Sequence, residues 1–425
     1  MNKFSQLAIA TITVMASISP AIANDDTDKV WVATQQIAQS SDRIAIVPFV
    51  GDTVVTDVVT ANLDGTELGA SSGNLPQRTA STNDILANLS TWRNLGYDYV
   101  VIGKSHSIVG NKTAISYDVI DTKAAKVIGS QTQVSDTNTA SLKLAGHQIS
   151  DKIYQAITGK SGDFGSIIAY VEETGTPSNK TSRLKLIDAT GQNARTLFTV
   201  TGSILTPTFS PDGSRIAYAV QAKNGLPVIH VQSINSTHSE VVTPFWGHNL
   251  APSFSADGTR LLFSGSHEHN NPNIYELNLT TKTLKAITTQ NGAENSPSYL
   301  PDGSGFIYTA DNGTRSQSLY RYQFANQNAT RIALNATNPR LSHDGSKIAY
   351  VAGQDIIIAN VSGSTLQRIK VGGTEISASF SPSANRIVYA QSQGGQSKLV
   401  IHNLASNQST TLPTTGQVRE PVWSK

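Results

Sequence analysis

The sequence predicts a multi-domain α+β protein: a small N-terminal α/β domain, then a six-bladed β-propeller closed by the C-terminal strand. Three observations predict it. A phrase of the type Pro-x-Phe-Ser-Pro-Asp-Gly returns through the C-terminal part, as in "TPTFSPDGSRIAYAV" (206–220), "APSFSADGTRLLFSG" (251–265) and "SPSYLPDGSGFIYTA" (296–310). Its spacing suits a unit of four short strands. The two ends of the array are out of step by half a unit.

The residue before each turn marks the period: Phe209, Phe254, Tyr299, Leu341, Phe380 and Trp423, at intervals of 45, 45, 42, 39 and 43 residues. The strand after each turn gives a second series: "IIAYV" (167–171), "RIAYA" (215–219), "RLLFS" (260–264), "GFIYT" (305–309), "KIAYV" (347–351) and "RIVYA" (386–390). The first of these has no turn phrase before it, and "VWSK" at the end has no strand after it. Pairing the last strand beside residue 167 reconciles the two series and closes a ring, which removes the open sheet edges that invite aggregation. Within one unit the strands are "PTFS", "RIAYAV", "PVIHVQSI" and "SEVVT". The Asp-Gly pair is expected to supply a turn whose central residues take positive φ. In the fifth unit Ser383-Ala384-Asn385 stands there instead, so that turn must be built differently.

Upstream the grammar changes. "DRIAIVPFV" (42–50) and "GYDYVVIGKS" (96–105) are short apolar runs suited to buried strands. In 81–96, Ile85, Leu86, Leu89 and Trp92 recur at helical spacing behind Ser81 or Thr82 as N-cap. Residues 113–134 alternate about Asp121-Thr122-Lys123 and predict a hairpin. Leu142, Ala145, Ile149, Ile153 and Ala156 share one face of a long helix. The glycine-rich "GKSGDFGS" (159–166) marks a boundary, giving domains at 24–160 and 161–425. Residues 1–23 read as a signal peptide: one lysine, an apolar run from Leu7 to Ile18 too short to span a bilayer, and Ala21-Ile22-Ala23.

Composition narrows the chemistry. There is no cysteine among 425 residues, which excludes disulfides, thiolate chemistry and a lipid-modified N-terminal cysteine. A balance of 32 basic to 30 acidic residues, with no long basic run, argues against nucleic acid as a partner. Two Gly-Lys-Ser tripeptides lack the glycine that a phosphate loop needs five positions earlier. "GASSG" around Ser71 is not at a strand-to-helix elbow. His267 and His269 could share a metal only with a third ligand that the sequence does not offer, so a solvated strand end is the expectation.

The loops before the Pro-x-Phe strands should emerge together near the axis of the ring. They carry Thr206, His248-Asn249, Asn295-Ser296, Thr337-Asn338, Glu375 and Arg419-Glu420, a ring of polar groups suited to docking a loop or peptide. The alternative is a propeller enzyme, a hydrolase or dehydrogenase with an axial site recruiting Glu375, Glu420 and Asp257. Several aspartates could also hold calcium in the channel. No carboxylate pair stands out, and the turns explain the Asp-Gly aspartates.

At this point the residues resemble the TolB family of the Tol–Pal system. The resemblance covers residues 24–425 and rests on the repeats, "IAIVPF" (44–49), "LAGHQISDKIYQAITGKSGDFGSIIAYV" (144–171) and "GQVREPVWS" (416–424). It implies a monomeric, non-enzymatic periplasmic adaptor without a cofactor, held at membranes through its partners. Those partners would be the lipoprotein Pal at the propeller and TolA at the N-terminal segment, with room for other outer-membrane proteins. It further implies a role in outer-membrane integrity and in constriction at division. The family's Pal-contacting element maps onto "HNLAP", giving His248, Asn249, Ala251 and Pro252. Asn295, in "ENSP", stands where the family has threonine and is carried over as a Pal contact. The TolA segment maps weakly onto "NDDTDKVWVA" (24–33), with Asp25, Asp26, Val30, Trp31 and Val32.

Overall fold

In a computed structural model of the chain, residues 43–424 are described, apart from 65, 67, 74, 79, 177–178, 223–224, 268–270, 290–291, 312–315, 374–375 and 394–395. The signal-peptide segment, residues 24–33, His269 and Glu375 therefore lie outside the described residues.

Alternation organises the first sheet. Strands β1 (Ile44–Ile46), β2 (Ala70–Ser71), β3 (Tyr99–Ile108), β4 (Lys112–Asp121) and β5 (Lys126–Asp136) run in the order β2-β1-β3-β4-β5. β1 is parallel to both neighbours, whereas β3, β4 and β5 are antiparallel. Ile44 and Ile46 point to a core formed with helices α1 (Thr53–Asp64) and α4 (Thr139–Thr158); Ala45 and Val47 point to the opposite core, with Ile85 and Trp92. Gly146 lets the two long helices approach, since a Cβ there would meet Val58 at 2.8 Å. The helix expected over 81–96 is two: α2 (Thr82–Ala87), with a Ser81–Asp84 capping box, and α3 (Leu89–Asn94). The hairpin turn forms as expected, with Asp121 accepting hydrogen bonds from the Lys123 and Ala124 amides.

From Ile167 onward every described element is a strand. Four four-stranded sheets begin at Asn249–Phe254, Glu294–Tyr299, Thr337–Leu341 and Ala378–Phe380. The other strands join into one seven-stranded sheet rather than two separate units. It holds the C-terminal strand Gln417–Trp423, then β6 (Ile167–Thr176), β7 (Asn179–Asp188), β8 (Arg195–Phe209), β9 (Arg215–Ala222), β10 (Val228–Ser233) and β11 (Ser239–Val241). The join is β8, whose first half pairs with β7 and whose second half pairs with β9. No proline interrupts residues 195–206, so the chain passes from one pairing to the next with only Gly202 (φ 140°) to bend it. The array is a β-propeller. Its first and last strands pair antiparallel, Val422 opposite Ala169 and Trp423 opposite Ile168, which is the pairing the offset series demanded.

The turns correct one expectation. In each Asp-Gly turn only the glycine has positive φ: Gly213, Gly258, Gly303 and Gly345 lie between 67° and 72°. The aspartate instead braces the turn through its carboxylate. Asp212 accepts from the Ser210 and Ser214 hydroxyls and the Ser214 amide. In the fifth unit Ala384 takes the glycine's place at φ 55°, and the missing carboxylate arrives from far away. Asp163, in the glycine-rich boundary segment, accepts from the Ser383 amide and hydroxyl, both at 2.7 Å, and from Arg386 Nε at 2.9 Å.

Candidate docking site at the propeller axis

The innermost strands share a local device. In five of them a β-bulge falls at a residue-proline pair, where the ladder slips between Leu205 and Thr208, Leu250 and Ser253, Asn295 and Ser298, Thr337 and Arg340, and Arg419 and Val422. The residue before each proline is left-handed: Thr206, Ala251, Ser296, Asn338 and Glu420 have φ between 47° and 54°. That conformation costs roughly 1–2 kcal/mol for a residue with a side chain, and proline, having no N–H, suits the unpaired slot of a bulge. The sixth inner strand has Ser377-Ala378 instead and no left-handed residue there.

Neighbouring strands use these bulges as staples. The Glu420 carboxylate accepts from the Thr206 amide. The Thr206 hydroxyl in turn accepts from the Ala251 amide at 2.9 Å, and Asn338 Nδ2 donates to the Ile376 carbonyl at 3.0 Å. Arg419 braces the strand: its side chain is mostly buried and reaches Glu173 at 2.5 Å, Glu420 at 2.6 Å and the Ile204 carbonyl at 2.9 Å. Thr206, Ser296, Asn338 and Glu420 converge on one cavity of about 60 Å³, joined by Arg340, Ser377 and Pro421. A second cavity, about 220 Å³, lies at the turn ends of the same strands, and Arg340 lines both.

The "HNLAP" element divides. Asn249 is 0% exposed, and its amide donates to the Pro227, Phe245 and Gly247 carbonyls. Ala251 and Pro252 are buried as well. Burial and internal hydrogen bonds make these three part of the frame of the loop. His248 differs. Its backbone is pinned to Ser266, whose hydroxyl accepts from the His248 amide and whose own amide donates to the His248 carbonyl, while the residue itself is exposed. Two positions earlier Trp246 is 83% exposed. Sequence reading missed it because "TPFWGHN" carries no periodic signal; a tryptophan inside a Pro/Gly-bounded loop was the available cue. Asn295 is half-buried, and its Oδ1 accepts from the Ser264 hydroxyl at 3.1 Å.

Of the carboxylates an axial enzyme would recruit, the described ones, Asp257 and Glu420, are hydrogen-bonded within the fold. Asp257 accepts from the Ser255 hydroxyl and from the Thr259 amide and hydroxyl, which hold it down at about 2. His267 packs on Tyr275 with ring centroids 4.1 Å apart. Among the described residues no three His, Asp or Glu side chains cluster as metal ligands, and the channel that might have held calcium already contains the cation of Arg340.

Fold and inner strands together define a β-propeller protein. The family model for the TolB beta propeller domain matches residues 154–425, and the chain belongs to that family. A crystal structure of TolB from Acinetobacter baumannii superposes with a TM-score of 0.70 at 33% identity, covering 90% of this chain and 96% of that one. The Tol-Pal system protein TolB of Acinetobacter baylyi is 32% identical over 242 residues, 57% of this chain and 56% of that protein. The corresponding protein of Thioalkalivibrio sulfidiphilus is 36% identical over 178 residues, 42% of this chain and 40% of its own. The chain thus spans about half the length of the curated relatives it matches. Membership sets it among Tol-Pal system proteins and apart from propeller enzymes.

Proposed function

We propose that this chain is a periplasmic adaptor of the Tol–Pal system, binding the lipoprotein Pal at the axial face of its propeller and TolA through residues 24–33. It would thereby support outer-membrane integrity and constriction during division. We count six blades, taking the seven-stranded sheet as two that share β8. We place the domain boundary after α4, where Gly159 caps the helix in a left-handed conformation, eight residues before β6 begins. Export follows from the signal-like residues 1–23, and no helix among the described residues is long and apolar enough to cross a membrane.

One observation carries the Pal reading: the exposed pair Trp246 and His248 on a loop held from inside by the Asn249 amide. A large aromatic held in water by a rigid loop is the usual form of an interface anchor. Calorimetric titration of the purified chain with Pal from the same source tests it. Trp246→Ala and His248→Ala should each weaken binding by about 2 kcal/mol or more with unchanged melting. Wild-type affinity in both variants would move the Pal site elsewhere. Ala251→Asp is unsuitable, because a buried carboxylate would perturb folding as well.

The TolA assignment rests on "NDDTDKVWVA", whose polar start and alternating Val30 and Val32 suit a segment added as an edge strand. Deleting residues 24–33 should abolish TolA capture in a pull-down and leave Pal affinity within a few-fold. A deletion variant that still captures TolA would overturn it.

A further inference from the structure

Arg340 lies on an innermost strand, two residues after the left-handed Asn338, and lines both axial cavities. Among the described residues its guanidinium makes no hydrogen bond and no ion pair. The acid that acts on it is Glu420, which lines the same cavity, but the Glu420 carboxylate already accepts from Arg419 and from the Thr206 amide. Arg419 is itself balanced by Glu420 and Glu173. Burial pulls the Arg340 pKa below its usual value, with Glu420 opposing; a guanidinium nevertheless keeps its charge in proteins. A second group at the same cavity points the same way. The Ser377 hydroxyl is buried without a hydrogen-bond partner, and Ser296 lines the cavity with its hydroxyl likewise uncommitted.

We propose that the axial channel is a receptor for one small oxyanion, a carboxylate or a phosphate, held by the Arg340 fork with the Ser377 and Ser296 hydroxyls. A planar guanidinium with five donors matches such an anion in two-point fashion. Cations are disfavoured by Arg340 itself. Size excludes most organic ligands, because cavities of about 60 and 220 Å³ fall below the ~300–1,000 Å³ that drug-sized molecules occupy. The site is separate from the loop of Trp246 and His248, and the proposal does not depend on what binds there.

The test uses the full chain and three salts at matched ionic strength and pH: sodium chloride, sodium acetate and sodium phosphate. Acetate, phosphate or both should raise the melting temperature above the chloride value in a saturable way, since a ligand of the native state stabilises it. The member that does so identifies the carboxylate or the phosphate source. Arg340→Gln should remove that response and weaken calorimetric binding at least about fivefold, while Arg340→Lys keeps part of it. Arg331→Gln, at an exposed position on strand Asn328–Ala333 of the preceding sheet, should respond as wild type. Glu420→Gln keeps an acceptor for the Thr206 amide, removes the like charge, and should tighten binding. In chloride alone Arg340→Gln should melt no lower than wild type, because an unpaired charge has been removed. An equal anion response in Arg340→Gln and wild type overturns the proposal.

Discussion

Trp423 ties distant parts of the chain together. It is 1% exposed, donates from Nε1 to the Ser166 hydroxyl at 2.7 Å, and lies under the Arg386 guanidinium, 5.4 Å from the ring centroid. Its amide donates to the Ser379 hydroxyl at 3.0 Å. Three parts of the chain therefore meet on one indole. Trp423→Ala should cost about 3–5 kcal/mol, whereas Trp423→Phe keeps most of the apolar volume and should lose nearer 1–2 kcal/mol through the bond that the Ser166 hydroxyl no longer accepts, its own donation to the Asp163 carbonyl remaining. Thermal melts of the two variants give the ratio; equal losses would mean that the hydrogen bond, not the packing, dominates. This residue was legible in the sequence, since it holds the repeat's aromatic position. Asn249 and Trp246 were not. Trp246 sits in a loop and Asn249 opens the strand after it; a polar residue there reads as exposed and an aromatic one as buried, and the structure reverses both, the Asn249 amide donating to three carbonyls that the loop turns inward.

At the scale of elements, helix α4 and the segment after it form a polar lock. Asp151 on α4 accepts from the Phe164 and Gly165 amides, both at 2.8 Å, and so fixes the segment that carries Asp163 to the fifth turn. The sequence showed that Ser383-Ala384-Asn385 breaks the turn pattern; it could not show that a carboxylate 220 residues away in sequence supplies the lost brace. The left-handed residues before proline were equally hidden, because that dipeptide by itself favours extended backbone and only the ladder around it imposes the bulge. The lock should be sensitive to pH. Burial pushes Asp151 up to about 6, helped by Asp163 and opposed by the two amides and Arg386. The unfolded chain releases that proton near 4, so the native state binds the extra proton between these values. Stability from this group is complete below about pH 4 and is lost as pH rises through about 6. Asp151→Asn removes the titration. The difference in unfolding free energy between wild type and variant, from denaturant melts at several pH values, should shift against wild type by roughly 2–3 kcal/mol from pH 4 to 7. Parallel curves would mean that Asp151 titrates at its ordinary value.

For the whole molecule, one pairing decides whether the sheets form a ring. The offset between the two repeat series made it readable: a strand without its turn at residue 167 and a turn residue without its strand at Trp423. What the series could not reveal was the seven-stranded sheet, because nothing in the spacing distinguishes a shared long strand from two short ones. The C-terminal strand contributes the β6 pairing, the Ser424 hydroxyl that accepts from the Ile167 amide at 2.8 Å, and the Arg419 brace to Glu173. Deleting residues 417–425 would strip all of these at once and leave β6 with an unpaired edge, a template for another chain. The shortened protein should lose on the order of 10 °C in melting temperature and should associate in a concentration-dependent way by light scattering. A synthetic peptide of residues 417–425 should occupy the vacant edge, restoring part of the melting temperature and returning the protein to monomer. A truncated chain that stays monomeric, melts as the full chain does and ignores the peptide would show that the ring does not depend on this strand.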